Sequence, residues 1–147
     1  MILSAQEIAR RLCSNLAQEK LKISPYAAEC QQPASYDLRS AENILLPRGI
    51  CTLVPSMEWV ELPPDIAGTL RCRSSFGRRG VLMGAGFIDP GFRGQLTLCL
   101  TNMGPQDIEL HTSERIVQMI LHEVRNGSER YAGRYQDSTG AVGAKEV

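Results

Sequence analysis

The chain has 147 residues, 43% of them apolar and 22% charged, a size and composition that give one domain with a genuine core. Lys and Arg balance Asp and Glu at 16 each, so no global charge recruits nucleic acid or a membrane surface, and any anion site must be a local arginine cluster. No apolar run reaches bilayer-spanning length, and charges come too early in MILSAQEIARRL for a signal peptide.

Ser4-Ala-Gln-Glu7 is a capping-box pattern, with Glu7 placed to reach back to the Ser4 amide. Ile8, Leu12 and Leu16 follow at helical spacing, which predicts an amphipathic helix over 5–18. KLKISPYAAECQQPAS then reads as a short strand and an irregular connection. From Ser35 onward short apolar runs alternate with turn residues, predicting strands at 35–39, 42–46, 50–54, 57–62, 66–72, 80–83, 95–101, 107–110 and 115–124. Many short strands with regular turns give a mainly β fold, a barrel or sandwich, with residues 1–20 as a helical decoration. The polar, Gly- and Ser-rich stretch 126–147 is expected to be a flexible C-terminal segment that either frays or closes over something.

Three stretches could carry chemistry. Arg73-Ser-Ser-Phe-Gly-Arg-Arg-Gly80 packs three arginines, two hydroxyls and two glycines into eight residues. Guanidinium forks bind phosphate oxygens bidentately, yet the same composition suits a solvated loop. Asp89-Pro90-Gly91 fits a type II turn begun by aspartate, and it equally fits a carboxylate held at a strand end to take a proton from water. In the strand beyond, Leu96, Leu98 and Leu100 share one face and Thr97, Cys99 and Thr101 the other. No histidine neighbours Cys99, so it reads as a small inert filler.

The five cysteines (Cys13, Cys30, Cys51, Cys72, Cys99) are odd in number, scattered, and form no C-x-x-C, as expected of free thiols in a reducing cytoplasm. His111 and His122 stand alone, which argues against a His/Cys zinc site, and the H-x-E and P-C-x-x-C signature of zinc nucleobase deaminases is missing.

Taken together these motifs resemble the superfamily shared by trimeric dUTPases and dCTP deaminases, over nearly the whole chain. Met1-Ile-Leu-Ser4 with Glu7-Ile8, Gln32-Pro-Ala-Ser-Tyr-Asp-Leu-Arg39, and Arg73-Ser74-Ser75 followed by Arg78 are deaminase-like. Gly86-Phe-Ile-Asp-Pro-Gly-Phe-Arg-Gly94 and Arg115-Ile-Val-Gln118 are common to both branches. The deaminases carry a glutamate ten residues after the shared aspartate, and Cys99 stands there in this chain. The short stretch between Asp37 and Arg73 also resembles a compact dUTPase.

The resemblance implies a distorted jelly-roll-like β-barrel with a short N-terminal helix, assembled as a homotrimer with sites between subunits. It implies dUTP hydrolysis to dUMP and pyrophosphate, with Mg²⁺ carried mainly by phosphate oxygens and Asp89 activating water. Arg73, Ser74 and Gln118 would bind the phosphates, Ser75 would also contact substrate, Arg78 would face the nucleotide or a neighbouring subunit, and Asp37 would support the site. Gly86 would present backbone to the pyrimidine, and Phe92 stands where many dUTPases have a tyrosine packed on the deoxyribose. In the tail, Arg130 and Tyr135 keep the spacing of a dUTPase lid, and Arg134-Tyr135 sits where deaminases have Lys-Tyr. One extra residue separates Tyr135 from Ser138-Thr139-Gly140. The rival readings are a zinc-free dCTP deaminase, mono- or bifunctional, a non-catalytic deoxynucleotide-binding homologue, and a pyrophosphatase for another deoxynucleotide.

Overall fold

The computed structural model describes residues 1–146. One of its two longest strands, β9 (Arg93–Asn102), shows how the fold is specified: Leu96, Leu98 and Leu100 are buried while Thr97, Cys99 and Thr101 are half-buried on the opposite face. In chain order the other elements are α1 (Ala5–Leu12), β1 (Lys22–Ser24), β2 (Gln31–Gln32), β3 (Ser35–Arg39), β4 (Ile44–Leu46), β5 (Cys51–Glu61), β6 (Ile66–Cys72), α2 (Ser74–Gly77), β7 (Val81–Gly84), β8 (Phe87–Ile88), β10 (Ile108–Leu110) and β11 (Arg115–Glu123).

The strands pair antiparallel into a four-stranded sheet of order β1-β5-β9-β7, a five-stranded sheet of order β2-β3-β11-β6-β8, and the small pair β10-β4. Inward side chains of both large sheets form one apolar cluster, with Val54, Val60, Leu98 and Leu100 from the first and Tyr36, Leu38, Val117 and Met119 from the second. The architecture is mainly β and jelly-roll-like, with one short N-terminal helix.

The helix is shorter than its apolar spacing predicts. Ser4 caps it, accepting the Glu7 amide at 3.2 Å, but α1 stops at Leu12 and Leu16 is left exposed. Glu7 does not reach back to the Ser4 amide; its carboxylate takes Arg10 at 2.8 Å and Arg11 at 3.0 Å instead. Arg11 is the reason the helix ends where it does. Its buried guanidinium reaches Asp65 at 2.5 Å and the Glu19 carbonyl at 3.2 Å, and its own carbonyl accepts the Leu21 amide, folding residues 13–21 back against the helix.

The two strands predicted at 50–54 and 57–62 are one strand, β5, interrupted by a register shift between Pro55 and Trp59. Proline cannot donate to the ladder, and the bulge absorbs it. Buried Ser56 fills the gap, its hydroxyl accepting the Leu96 amide at 2.9 Å and donating to the Glu58 carbonyl at 2.8 Å. The fully buried Glu58 carboxylate is neutralised by Arg39 at 2.7 Å. This bulge sets the position of Gln95 and Leu96 on β9, which floor the cleft beside Asp89.

Candidate active site

Asp89 opens a tight turn, as its sequence context predicts. The Phe92 amide donates to the Asp89 carbonyl at 3.1 Å, Pro90 stands at the second position, and Gly91 at φ +78° supplies the third, the pattern of a type II turn. The turn is clamped to the end of β5, because Gly91 donates to the Leu62 carbonyl and Leu62 donates back to Phe92. With the backbone so held, the Asp89 side chain projects into solvent at the margin of a cleft of about 480 Å³.

Leu53, Gly86, Phe92, Thr97, Cys99 and Tyr135 line that cleft. Gly86 (φ +105°) accepts the Leu70 amide at 2.7 Å, and a side chain there would press on the Leu70 carbonyl. The Phe92 ring is buried and lies 5.8 Å from the Tyr131 ring, centroid to centroid. Cys99 sits between Leu53 of β5 and Gly84 of β7 and faces the same cleft as Asp89. Burial raises its thiol above the ordinary cysteine value, with nearby Cys51 adding a smaller push in the same direction, so it is protonated near neutrality. All five cysteines are free thiols. Among the residues lining the cleft, Asp89 is the only carboxylate.

The tail crosses this cleft. Tyr131 donates its amide to the Pro90 carbonyl at 2.7 Å, Gln136 reaches the Gly91 carbonyl at 3.0 Å, and Asp137 pairs with Arg93. Beyond them the chain runs along the side of β9 that β7 leaves free. Gln95 donates to Ser138, Gly140 donates to the Gln95 side chain at 2.6 Å, and Val142 donates to the Thr97 hydroxyl at 2.9 Å. Tyr135 and Ser138 both line the cleft, and Asp137 between them adopts φ +61°. Arg134 does not; its guanidinium is spent on the carbonyls of Lys145 and Glu146.

The arginine-rich segment forms a different cleft, of about 450 Å³, lined by Arg73, Ser75, Phe76, Arg79, Ser113, Glu114 and Arg115. Arg73 Nε lies 3.0 Å from Asp37 Oδ2, and Arg115 is 3.7 Å from the same oxygen. Asp37 is buried and its Oδ1 has no partner; burial lifts its pKa above the carboxylate norm, with Arg73 and then Arg115 opposing. Gln118 stands beside Asp37 on the neighbouring strand. Ser74 and Arg78 are exposed and line neither cleft, whereas Arg79, the third arginine of the segment, lines the arginine cleft and lies over the Phe76 ring at 5.7 Å. Sequence reasoning misses Arg115 and Tyr131 as site residues, although Arg115 opens the Arg-Ile-Val-Gln motif. The arginine cleft and the Asp89 cleft share no lining residue, so within one chain the expected site residues fall into two groups.

Comparison with known proteins decides the family. The dCTP deaminase-like profile matches residues 39–124, spanning the Asp37-adjacent strand end, the arginine segment, the Asp89 turn and β9. The chain belongs to the dCTP deaminase-like family. It is 33% identical over 144 residues to the dCTP deaminase of Pyrococcus horikoshii, covering 87% of this chain and 92% of that one. Its fold matches the 2′-deoxycytidine 5′-triphosphate deaminase of Agrobacterium tumefaciens at a TM-score of 0.69, with 23% identity over 84% of this chain and 47% of that one. It also matches EIAV dUTPase at a TM-score of 0.63, with 22% identity over 79% of this chain and 98% of that one. This dCTP deaminase-like chain thus lies within the dUTPase and dCTP deaminase superfamily. Among the described residues no group of three or more His, Cys, Asp or Glu side chains is placed to hold a metal, and no helix is long and apolar enough to cross a membrane.

Proposed function

We propose that the chain is a dUTP diphosphatase, converting dUTP to dUMP and pyrophosphate. The observation that carries this reading is Cys99. It faces the Asp89 cleft ten residues downstream of that carboxylate, where the resemblance to dCTP deaminases implies a glutamate, and no second carboxylate lines the cleft. A protonated thiol cannot take a proton from water and deliver it to a cytosine ring near neutral pH. One exposed carboxylate suffices for hydrolysis.

Asp89 orients a water and accepts its proton as the oxygen attacks the α-phosphorus in line. The bond from the α-phosphorus to its bridging oxygen breaks, and pyrophosphate leaves. Phe92 packs on the deoxyribose and excludes a 2′-hydroxyl, Gly86 offers backbone to the pyrimidine, and Tyr135 closes above it. Arg73, Ser74, Ser75 and Gln118 bind the phosphates and stabilise charge on the leaving group, Arg78 faces the nucleotide or a neighbouring subunit, Arg130 is supplied by the tail, and Asp37 braces Arg73. Arg134 joins them only once it leaves the Lys145 and Glu146 carbonyls. Because the arginine cleft and the Asp89 cleft are separate in one chain, the complete site needs a second copy, in keeping with a homotrimer. The lone Asp89 carboxylate suits Mg²⁺ that arrives on the triphosphate, held by phosphate oxygens and water, and such an ion supplies charge neutralisation to the phosphates. The free thiols suit a cytoplasmic protein.

Asp89→Asn tests the reading, because it keeps size and hydrogen bonding while removing the base. Pyrophosphate release from dUTP should fall by at least about a hundredfold; release at the parental rate would refute the mechanism. A second reading, a zinc-free dCTP deaminase, is favoured by the family profile and by the Pyrococcus horikoshii relative. Ammonia appearing from dCTP would establish it. Saturable dUTP binding without turnover of either nucleotide would instead indicate a binding protein.

A further inference from the structure

The chain from Arg134 to Glu146 closes on itself beside the Asp89 cleft. Arg134 Nη1 donates to the Lys145 carbonyl at 3.0 Å and to the Glu146 carbonyl at 3.1 Å, which occupies both hydrogens of that nitrogen. In return the Lys145 ammonium donates to the Arg134 carbonyl at 2.8 Å. The Lys145 amide donates to the Tyr135 hydroxyl at 3.1 Å, and its ammonium lies 5.6 Å from the centroid of the Tyr135 ring. Between the two ends of this loop, Val142 donates to the Thr97 hydroxyl and, with Ala144, lines the cleft.

The residues held in this way are two that the proposed function sends to the nucleotide. Arg134 has no Nη1 hydrogen left for a phosphate while both carbonyls hold it, and the Tyr135 ring is covered by a cation from its own chain. Arg134, Lys145 and Glu146 are exposed, so each hydrogen bond competes with water and contributes little by itself. Phosphate oxygens are stronger acceptors for a guanidinium than neutral carbonyls, so a triphosphate can displace them. A chain in the closed form must open first, and the apparent affinity falls by the fraction of chains that are open.

We infer that Lys145 and Glu146 form an autoinhibitory latch, a self-contact at Arg134 and Tyr135 that an incoming nucleotide must break. That these two residues meet a nucleotide rests on the proposed function. The test is calorimetric titration with dUTP and Mg²⁺, and separately with dCTP and Mg²⁺, in an Asp89→Asn background that suppresses hydrolysis. A chain ending at Ala144 should bind dUTP about fivefold more tightly than the full-length chain, the gain expected if about one chain in five is open at rest. Full-length Lys145→Pro, which loses the amide donor and the ammonium but keeps both carbonyls, should show a smaller gain. Both gains should shrink below about twofold when Arg134→Gln is added, because the latch acts chiefly through that guanidinium. Unchanged or weaker binding in both altered chains, a full gain that survives Arg134→Gln, or no nucleotide binding by any chain would each overturn the latch. Tighter binding of dCTP with none of dUTP would keep the latch and refute the diphosphatase reading.

Discussion

Arg73 Nε lies 3.0 Å from Oδ2 of Asp37, while the other oxygen of that buried carboxylate faces no donor at all. Two guanidiniums thus lie by one oxygen, that of Arg73 and, at 3.7 Å, that of Arg115, while the other oxygen is buried without a hydrogen bond. Burial accordingly holds the Asp37 pKa above its ordinary value. The folded protein binds this proton more tightly than the unfolded chain, so the penalty is absent below the unfolded value and complete above the folded one. Asp37→Asn should therefore melt about 3 °C above the parent at neutral pH. Calorimetry across pH should show that margin closing as acid carries the parent down through the raised pKa of Asp37. A margin that widened in acid would contradict burial as the origin of the shift.

Cys99 and Cys51 make a matched pair of probes. Cys51 and Cys13 are exposed, whereas Cys99 is half-buried in the cleft with its thiol held protonated. Iodoacetamide followed by peptide mass spectrometry should alkylate Cys13 and Cys51 first, since the thiolate is the reactive form. Raising the pH should accelerate Cys99, and truncation after Gln136 should accelerate it further by uncovering the cleft. Labelling of Cys99 as fast as Cys51 in the intact chain would show that the tail does not shield it.

Replacing that thiol asks whether a carboxylate is all the deaminase reaction lacks. On the proposed reading, Cys99→Glu places a second carboxylate in the Asp89 cleft. Ammonia release from dCTP should rise above the parental level, measured in parallel with pyrophosphate from dUTP. No ammonia from a folded Cys99→Glu chain would mean that more of the site than this one position has diverged.

Gly91 has two reasons to lack a side chain, a positive φ and the Arg130 backbone pressed against it. Gly91→Ala should destabilise the protein by about 2 kcal/mol and free the tail from the turn. Hydrogen exchange at the Tyr131 amide, bonded to Pro90 in the parent, is the direct readout and should quicken markedly. Global destabilisation with Tyr131 still protected would place the strain elsewhere.

The N-terminal helix hangs on Arg11. Its guanidinium is buried and bridges Asp65 and Glu7, and the first turn is further held by Glu7, whose pKa the hydrogen bond from Arg10 helps lower to about 2. Arg11→Ala strands Asp65 and should cost about 2 kcal/mol in urea unfolding, with loss of helical signal. An unchanged midpoint would mean that Leu3 and Ile8 alone dock the helix.

Alternation made the central strands readable: β3 and β6 begin and end where their patterns predict, and β9 buries the leucine face that its sequence displays. What local pattern could not reveal was set at long range. Leu16 keeps helical spacing, but Arg11 turns the chain away before it can be buried. The two-residue strand β8 exists only because β6 offers it a partner, and the break inferred within β5 is a bulge stitched by Ser56 to β9. The same division runs through the site. Asp89 and the arginine-rich segment were legible from local chemistry, whereas Arg115 acquires meaning only where β11 brings it to that segment.

The tail's path along β9 has a consequence outside catalysis. Residues 93–98 of that strand would otherwise present unpaired amides and carbonyls to solvent, and Ser138, Gly140 and Val142 occupy that border. An unguarded strand border is a template for intermolecular pairing. On the proposed reading, a tail that lifted to admit a nucleotide would also bare this border, so one segment would govern both solubility and substrate entry. Chains cut short before Ser138 should self-associate on concentration, and in the intact chain a ligand that draws the tail down should oppose that association.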